Sequence, residues 1–99
     1  MILRFEWDSA KAASNLHKHG VSFETAVRVF SDPQALLQLE RIADGEERWR
    51  TVGRIEDHLI LVVIHVVRED DEGETIRIIS ARRADRRERR RYEEENCAL

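Results

Sequence analysis

The segment from Leu59 to Arg68 limits the possible folds of this chain more than any other segment. Its sequence, LILVVIHVVR, is aliphatic and largely β-branched, and His65 is the one polar residue before the final arginine. Such runs are typical of a strand that is covered on both faces. This run is too short for a membrane-spanning helix, which needs about 20 apolar residues. We therefore expect a central strand with other elements packed on both sides of the sheet.

Capping residues predict two helices in the first third of the chain. Asp8 and Ser22 are suitable N-caps, and Gly20 and the Asp32-Pro33 pair are suitable stops. The helices predicted between these residues are Ser9–His19 and Phe23–Phe30.

The first of these helices has a small-residue side and a polar side. Ala12, Ala13 and Leu16 are at positions that we expect to face inward. Lys11 and Asn15, four residues apart, share a polar face that could approach a cluster of arginines or could simply face solvent.

After these helices the sequence changes to the period of strands. Besides the central strand, we predict strands at Ile2–Trp7, Ala35–Leu39, Arg48–Arg54 and Thr75–Ala81. Three of the predicted strands follow one another through short connections, among them the acidic turn Glu69–Glu74, so antiparallel pairing is expected. These strands are Arg48–Arg54, the central strand Leu59–Arg68 and Thr75–Ala81. The predicted fold class is α+β: a small antiparallel β-sheet with two N-terminal helices packed on it and a C-terminal basic helix, in a single domain of residues 1–99.

The C-terminal helix, predicted at Ala84–Glu95, is polar on every side. It therefore has no apolar stripe, and we do not expect the core to be its main support. Ion pairs between residues four positions apart are expected to stabilise it. These pairs are Asp85–Arg89, Arg89–Glu93, Arg90–Glu94 and Arg91–Glu95.

Positive charge is concentrated near this helix. Between Ile76 and Tyr92 there are eight arginines and two carboxylates, a net charge of +6 in a chain whose formal total is −3. Arginine outnumbers lysine by 15 to 2, and guanidinium groups make flat, bidentate contacts with phosphate. The clustering indicates a surface for an anion such as the backbone of RNA. The alternative is a solvated helix whose arginines pair with neighbouring carboxylates.

Arg82 and Arg83 follow a buried strand at the point where the last helix begins. The sheet would hold their guanidinium groups in place, and the candidates to meet them are Arg50, Arg54 and Arg68. Several cations that converge on one surface repel one another unless an anion joins them. This junction is therefore the predicted phosphate site.

A histidine or lysine could serve as a general base toward a ribose 2′-hydroxyl. The candidates are His65, His19 and Lys11, and each of them can equally be a structural or solvent-facing residue. His17 and His19 are only two residues apart in a helix, which does not place them together as a zinc pair.

The sequence contains no motif for a metal or a nucleotide cofactor. It has no CxxC, HExxH, phosphate-binding glycine loop or DxDxDG loop, so we predict neither a cofactor nor a metal. Cys97 is the single cysteine and cannot form an internal disulfide. No signal peptide or transmembrane segment is recognised, so a cytoplasmic location without membrane contact is expected.

Three segments of the chain resemble the BrnT family of toxins from type II toxin–antitoxin systems. They are FEWDSAKAASNLHKHGVSFETAVRVFSDP, GEERWRTVGR and RIISARRADRRERRRYEE, which follow in order from about Phe5 to Glu94. The family's helix motif DxxKAxxNxxKHxV is matched by Asp8, Lys11, Ala12, Asn15, Lys18, His19 and Val21. The chain departs from the family at Ser9, where proline is usual, and in a longer acidic turn that affects the alignment of Arg68.

The resemblance implies a RelE/ParE-like fold and an endoribonuclease that inhibits translation by cutting RNA. It also implies a BrnA-like antitoxin of ribbon-helix-helix type, which neutralises the toxin and forms a complex that binds operator DNA. Carried over by position, the family's site arginines are Arg68, Arg82 and Arg83. Contacts with RNA or with the antitoxin are expected from Arg50, Arg54, Arg86, Arg87 and Arg90.

The mechanism expected from these features is metal-independent transesterification. The 2′-hydroxyl of the RNA would attack the adjacent phosphate, and the site arginines would stabilise the charge of the transition state. The alternative is a non-catalytic toxin or a nucleic-acid- or protein-binding module, because the same fold family includes gyrase inhibitors.

Overall fold

A five-stranded sheet with helices on both faces makes up residues 2–96, which the computed structural model describes. Met1 and residues 97–99, with Cys97, lie outside the described residues. The elements are β1 (Ile2–Glu6), α1 (Ser9–His19), α2 (Phe23–Ala26), a 3-10 helix (Val27–Ser31), β2 (Leu36–Ala43), β3 (Glu46–Glu56), β4 (Leu59–Asp70), β5 (Gly73–Arg83) and α3 (Arg86–Asn96). No described helix is long and apolar enough to cross a membrane.

The sheet is mixed, so the prediction of a purely antiparallel sheet is wrong. Its strand order is β1-β5-β4-β3-β2, and β2 to β5 form the expected antiparallel meander. β1 pairs in parallel with β5, from Ile2 beside Gly73 to Glu6 beside Arg77. The helices after β1 carry the chain to the far edge of the sheet, and the meander returns it beside β1 in the same direction.

β4 is the central strand, as the sequence predicts, and both of its faces are buried. Leu61 and Val63 pack in a core beneath the N-terminal helices, whereas Ile60 and Val62 pack on the opposite face. Side chains alternate between the two faces of a strand, so an almost continuous apolar run fits only a strand covered on both sides.

α1 buries Asn15 from its polar side, whereas Lys11, Ala13 and Leu16 are exposed. Leu16 is 50% exposed, while Asn15 is only 7% exposed. The Asn15 amide donates to Ala81 O at 2.8 Å and to Val21 O at 3.0 Å, and its oxygen accepts from Ala81 N at 3.1 Å. β1 pairs with β5 only as far as Arg77, so Asn15 satisfies backbone groups of Ala81 that lie beyond β1.

The second predicted helix is divided into α2 and the 3-10 helix. Ser22 caps it as expected, since its Oγ accepts a hydrogen bond from Thr25 N at 3.1 Å. The 3-10 helix then lies directly on β3. A Cβ atom added at Gly53 would stand 2.9 Å from Val29 Cβ and 3.1 Å from Val29 O, so glycine permits this close approach.

α3 has an apolar anchor that the sequence pattern does not predict. Tyr92 is 1% exposed and packs with Val52, Ile60 and Val62. Its hydroxyl donates to Asp32 Oδ2 at 2.5 Å, and burial together with this hydrogen bond raises the pKa of Tyr92 to about 12. Of the four predicted ion pairs within the helix, Arg91–Glu95 at 3.9 Å is the one that forms among the described residues.

Replacing Asn15 by alanine is expected to lower the free energy of unfolding by about 2–3 kcal/mol, because it leaves buried backbone groups of Ala81 and Val21 without partners. Urea denaturation followed by circular dichroism measures the loss. Ser14→Ala, at an exposed position of the same helix, serves as the control. A loss of equal size in both variants would show that the hydrogen bonds of Asn15 are not responsible.

Candidate functional site

One face of the sheet is covered by α3 over only part of its area. The apolar contacts of α3 are centred on Tyr92, Val52 and Val62. Beyond these contacts, the alternation of side chains along β3 and β5 places four arginines on the same face. These residues, here called the open-face arginines, are Arg48, Arg50, Arg77 and Arg82.

Glu88 connects α3 to two of the open-face arginines. Its carboxylate accepts two hydrogen bonds from Arg82, at 2.8 and 2.9 Å, and lies 3.5 Å from Arg50 Nη1. The side chain of Glu88 is 14% exposed, so solvent screens these contacts only partly. Arg82 and Arg50 are therefore held side by side by one carboxylate.

The carboxylate of Glu88 also caps the N-terminus of α3. Asp85 N donates to Glu88 Oε1 at 2.8 Å, and Glu88 N donates to Asp85 Oδ1 at 2.8 Å. This reciprocal arrangement is a capping box, in which an N-cap residue and the glutamate three positions later satisfy each other's backbone donors. The position of the helix and that of the arginines thus depend on one side chain.

The contact between Arg82 and Glu88 keeps both groups charged. The hydrogen bond from Arg82 lowers the pKa of Glu88, although partial burial opposes this shift. The hydrogen bond to Glu88 in turn raises the pKa of Arg82. Glu88 is consequently a fixed anion, poorly suited to accept a proton in catalysis.

Arg48 is the open-face arginine with the fewest partners. It forms no ion pair with residues 2–96, and its Nε is buried without a hydrogen bond to any of them. By contrast, Arg77 donates to Glu46 at 2.7 Å, and Arg50 donates to Gln38 Oε1 at 2.8 Å. Because no carboxylate among residues 2–96 pairs with it, Arg48 is the open-face arginine whose charge is most available to an incoming anion.

Arg68 does not meet Arg82 and Arg83, contrary to the expectation of a single cluster. It lies beside Thr75 at the start of β5, whereas Arg82 lies beside Val62 at the start of β4. Six residues of strand separate the two positions, about 20 Å. Arg68 instead pairs with Glu6 at 3.4 Å. The antiparallel hairpin itself places the ends of β4 and β5 far apart.

Arg82 and Arg83 are also separated from each other, because successive residues of a strand point to opposite faces. Arg82 reaches the α3 side of the sheet, where it contacts Glu88. Arg83 lies on the other side, in a hollow that it shares with Leu16 and Ser22. Chain neighbours at a strand end therefore do not form one site.

His65 is a core residue on the face covered by the N-terminal helices. It is 2% exposed, its Nε2 lies 2.7 Å from Thr51 Oγ1, and its ring meets Phe30 edge-on at 4.9 Å between centroids. Burial lowers its pKa to about 4, so the ring is neutral at physiological pH. Its side chain lies on the face of the sheet opposite the open-face arginines, so it cannot act together with them.

The other residues predicted for the site are dispersed over the two faces of the sheet and α3. Lys11 and His19 are on α1, on the side of the sheet opposite the open-face arginines. The Arg54 guanidinium stands 5.5 Å from the centre of the Tyr92 ring. The exposed arginines of α3 that form no ion pair with residues 2–96 include Arg86, Arg87 and Arg90.

The candidate site also contains four residues that are absent from the candidates drawn from the sequence: Arg48, Arg77, Glu46 and Glu88. Two signals could have found them. The alternation in RWR predicts that Arg48 and Arg50 share a face, and the spacing of Asp85 and Glu88 is that of a capping box. The pairing of Arg77 with Glu46 had no local signal, because 31 residues separate them. Within residues 2–96, no group of three or more His, Cys, Asp and Glu side chains forms a candidate metal site.

A family model described as "Ribonuclease toxin, BrnT, of type II toxin-antitoxin system" matches residues 7–88. The chain belongs to the BrnT family. The matched range contains the open-face arginines and ends at Glu88, in the first turn of α3. Type II systems pair such a toxin with an antitoxin, so membership identifies the two kinds of partner, RNA and an antitoxin protein.

A solved structure supports the same fold. The crystal structure of the Brucella abortus ribonuclease toxin, BrnT, superposes with a TM-score of 0.62 at 24% sequence identity, covering 87% of this chain and 100% of that one. Among curated proteins no sequence matches. At this identity the likeness concerns the fold, which is that of a BrnT toxin.

Replacing Glu88 by glutamine is expected to lower the free energy of unfolding by about 1–2 kcal/mol at pH 7, because the charged hydrogen bonds to Arg82 and Arg50 are weakened. Glu93→Gln, at an exposed position of α3, is the control. Since folding lowers the pKa of Glu88, its stabilising charge is fully present above the usual glutamate pKa of about 4.3. The difference between wild type and Glu88→Gln should persist down to that pH and vanish below it as the folded carboxylate is protonated. A difference that does not change with pH would contradict the ion pair.

The buried His65 predicts a loss of stability in weak acid. The unfolded chain binds a proton on this histidine below about pH 6.5, whereas the folded protein resists protonation until about pH 4. The free energy of unfolding should therefore fall by about 3 kcal/mol between those two pH values. His65→Gln, which keeps a polar partner for Thr51, should lack this part of the dependence in urea titrations. Equal slopes for the two proteins would show that His65 is protonated in the fold.

Proposed function

We propose that the protein is an endoribonuclease toxin that cuts RNA at the open-face arginines without a metal ion, and that a cognate antitoxin neutralises it. The observation that supports this proposal best is the group of four guanidinium groups on one face, of which Arg48 forms no ion pair with residues 2–96. A phosphodiester carries the charge and the acceptor oxygens that such a group lacks.

In the proposed reaction the ribose 2′-oxygen forms a bond to phosphorus, and the bond from phosphorus to the 5′-oxygen breaks. The products are a 2′,3′-cyclic phosphate and a free 5′-hydroxyl, whose oxygen takes up a proton from water as its bond to phosphorus breaks. Negative charge accumulates on the non-bridging oxygens in the transition state, where Arg48 and Arg77 would donate hydrogen bonds. One such donor contributes a few kcal/mol. The nucleophile belongs to the substrate, so the protein needs to supply only charge and proton transfer.

We assign the acceptance of the 2′-hydroxyl proton to Glu46. None of the three candidates drawn from the sequence, His65, His19 and Lys11, lies on the open face. Glu46 is next to Arg77 at 2.7 Å and is 38% exposed, which leaves carboxylate lone pairs free for a substrate. Glu88 is a less suitable base, because both of its oxygens accept hydrogen bonds from Arg82 and it is only 14% exposed, whereas Glu46 accepts one hydrogen bond from Arg77.

The other predicted arginines receive binding roles in this proposal. Arg82, held by Glu88, adds positive charge beside the reacting phosphate and positions Arg50 through the shared carboxylate. Arg68, which pairs with Glu6, and Arg83, on the other side of the sheet, are assigned to flanking phosphates. RNA backbone or an acidic surface of the antitoxin would bind the remaining group, which consists of Arg54, Arg86, Arg87 and Arg90.

The partner proposed for the toxin is an antitoxin of ribbon-helix-helix type. It would cover the open face, prevent RNA from binding there, and give a hetero-oligomeric complex that binds operator DNA. The exposed arginines of α3 border this face, so one protein could contact both regions. If the open-face arginines are modified by an arginine-specific reagent more slowly in the complex than in the free toxin, this placement is supported.

Arg48→Ala is expected to reduce the rate of RNA cleavage about 100-fold, the effect of removing one donor from a charged transition state. The free energy of unfolding should change little, because Arg48 has no ion-pair partner among the described residues. Arg28→Ala, a variant of an exposed arginine in the 3-10 helix on the opposite side of the sheet, should cleave at the wild-type rate.

A substrate with a single 2′-deoxy residue at the cut site tests the reaction class. Cleavage there should stop in buffer containing a chelator, while the all-ribose substrate is still cut and gives a cyclic phosphate end. Continued cutting of the deoxy substrate would exclude attack by the 2′-hydroxyl. Growth arrest with intact RNA, together with signs of DNA damage, would favour the non-catalytic, gyrase-inhibitor-like alternative.

A further inference from the structure

A cavity of about 310 Å³ lies between β2, β3 and α3, next to the open-face arginines. Its apolar wall contains Leu36 and Val52, and its polar wall contains Gln38, Arg50, Glu88 and Arg91. The volume is at the lower end of the range for small-ligand pockets, which suits a group of about the size of a nucleoside.

We propose that this cavity binds one nucleobase next to the cleaved bond and that Gln38 reads the edge of that base. The inference rests on the proposed ribonuclease function. Arg50 and Glu88 belong both to the cavity and to the arginine site, so the two are continuous. A phosphate on the open face therefore brings the adjoining base to the mouth of the cavity.

The walls of the cavity match the two kinds of surface that a base presents. Val52 is 8% exposed and Leu36 is half-buried, so together they offer an apolar surface to the flat face of a ring. Arg91 lies on the α3 side of the cavity, where its guanidinium plane can stack on a base. Unstacked bases in single-stranded RNA are bound in this way by arginine planes and apolar side chains.

Gln38 supplies the edge recognition, and its orientation is set by Arg50. Its Oε1 accepts a hydrogen bond from Arg50 Nη2 at 2.8 Å, so the amide NH₂ group remains as the free donor. A donor at this position favours a base that presents an acceptor, a carbonyl oxygen or an unprotonated ring nitrogen. Arg50 also lies 3.5 Å from Glu88. The position of Gln38 therefore depends, through Arg50, on the carboxylate that caps α3.

The test is the sequence preference of cleavage, measured by sequencing the ends produced from a randomised RNA pool. Wild type should prefer particular bases at one position beside the cut. Gln38→Leu should reduce that preference about fivefold at that position alone, the effect of one lost hydrogen bond. Gln38→Glu keeps an oxygen for Arg50 but replaces the donor by an acceptor, so it should shift the preference toward bases that present a donor there. Gln34→Leu, outside the cavity, should leave the preference unchanged.

The outcomes separate this inference from the function on which it rests. If wild type cuts RNA and Arg48→Ala does not, but both Gln38 variants retain the wild-type preference, the nucleobase site is overturned and the ribonuclease proposal stands. The nucleobase site is likewise overturned if Gln38→Leu changes only the neutralisation by the antitoxin, since the cavity would then belong to the partner protein. If wild type cuts no RNA, the proposed function fails and this inference fails with it.

Discussion

The ion pair between Glu88 and Arg82 determines how the two faces of the sheet differ. One carboxylate caps α3, bonds Arg82 and lies close to Arg50. Without it, two guanidinium groups would face each other at the start of a helix whose N-terminal end already carries a partial positive charge. Because this contact and Tyr92 attach α3 near one end of the sheet, the remaining surface stays uncovered. The open face is thus a consequence of where the helix is anchored.

The ion pairs on the open face leave an excess of positive charge there. Glu88 is already engaged by Arg82, and Glu46 is engaged by Arg77. Arg48 forms no ion pair within residues 2–96, so positive charge exceeds negative charge at that point. Repulsion among fixed cations is reduced when a phosphate binds between them. The folded protein therefore neutralises only part of the charge of these arginines, and the proposed RNA substrate would neutralise the rest.

The elements with local signals could be predicted from the sequence, and those that depend on distant partners could not. Asp8, Gly20 and Ser22 delimit helices through contacts within a few residues, and the apolar run of β4 identifies a strand buried on two sides. The parallel pairing of β1 with β5 is decided only when the whole meander returns to the first strand. The burial of Asn15 is hidden from the sequence for a similar reason, since its partner Ala81 lies 66 residues away.

Two rules of strand geometry, which can be applied to the sequence alone, already argue against placing Arg68, Arg82 and Arg83 in one cluster. Alternation along a strand separates Arg82 from Arg83, and antiparallel pairing separates Arg68 from both. His65 follows the same logic. A strand recognised because both of its faces are buried cannot present a histidine to solvent from its middle, so the apolar run that places β4 at the centre also argues against His65 as a base. Proximity in the chain does not imply proximity in space here, because in this sheet the face and the end of a strand decide which side chains can act together.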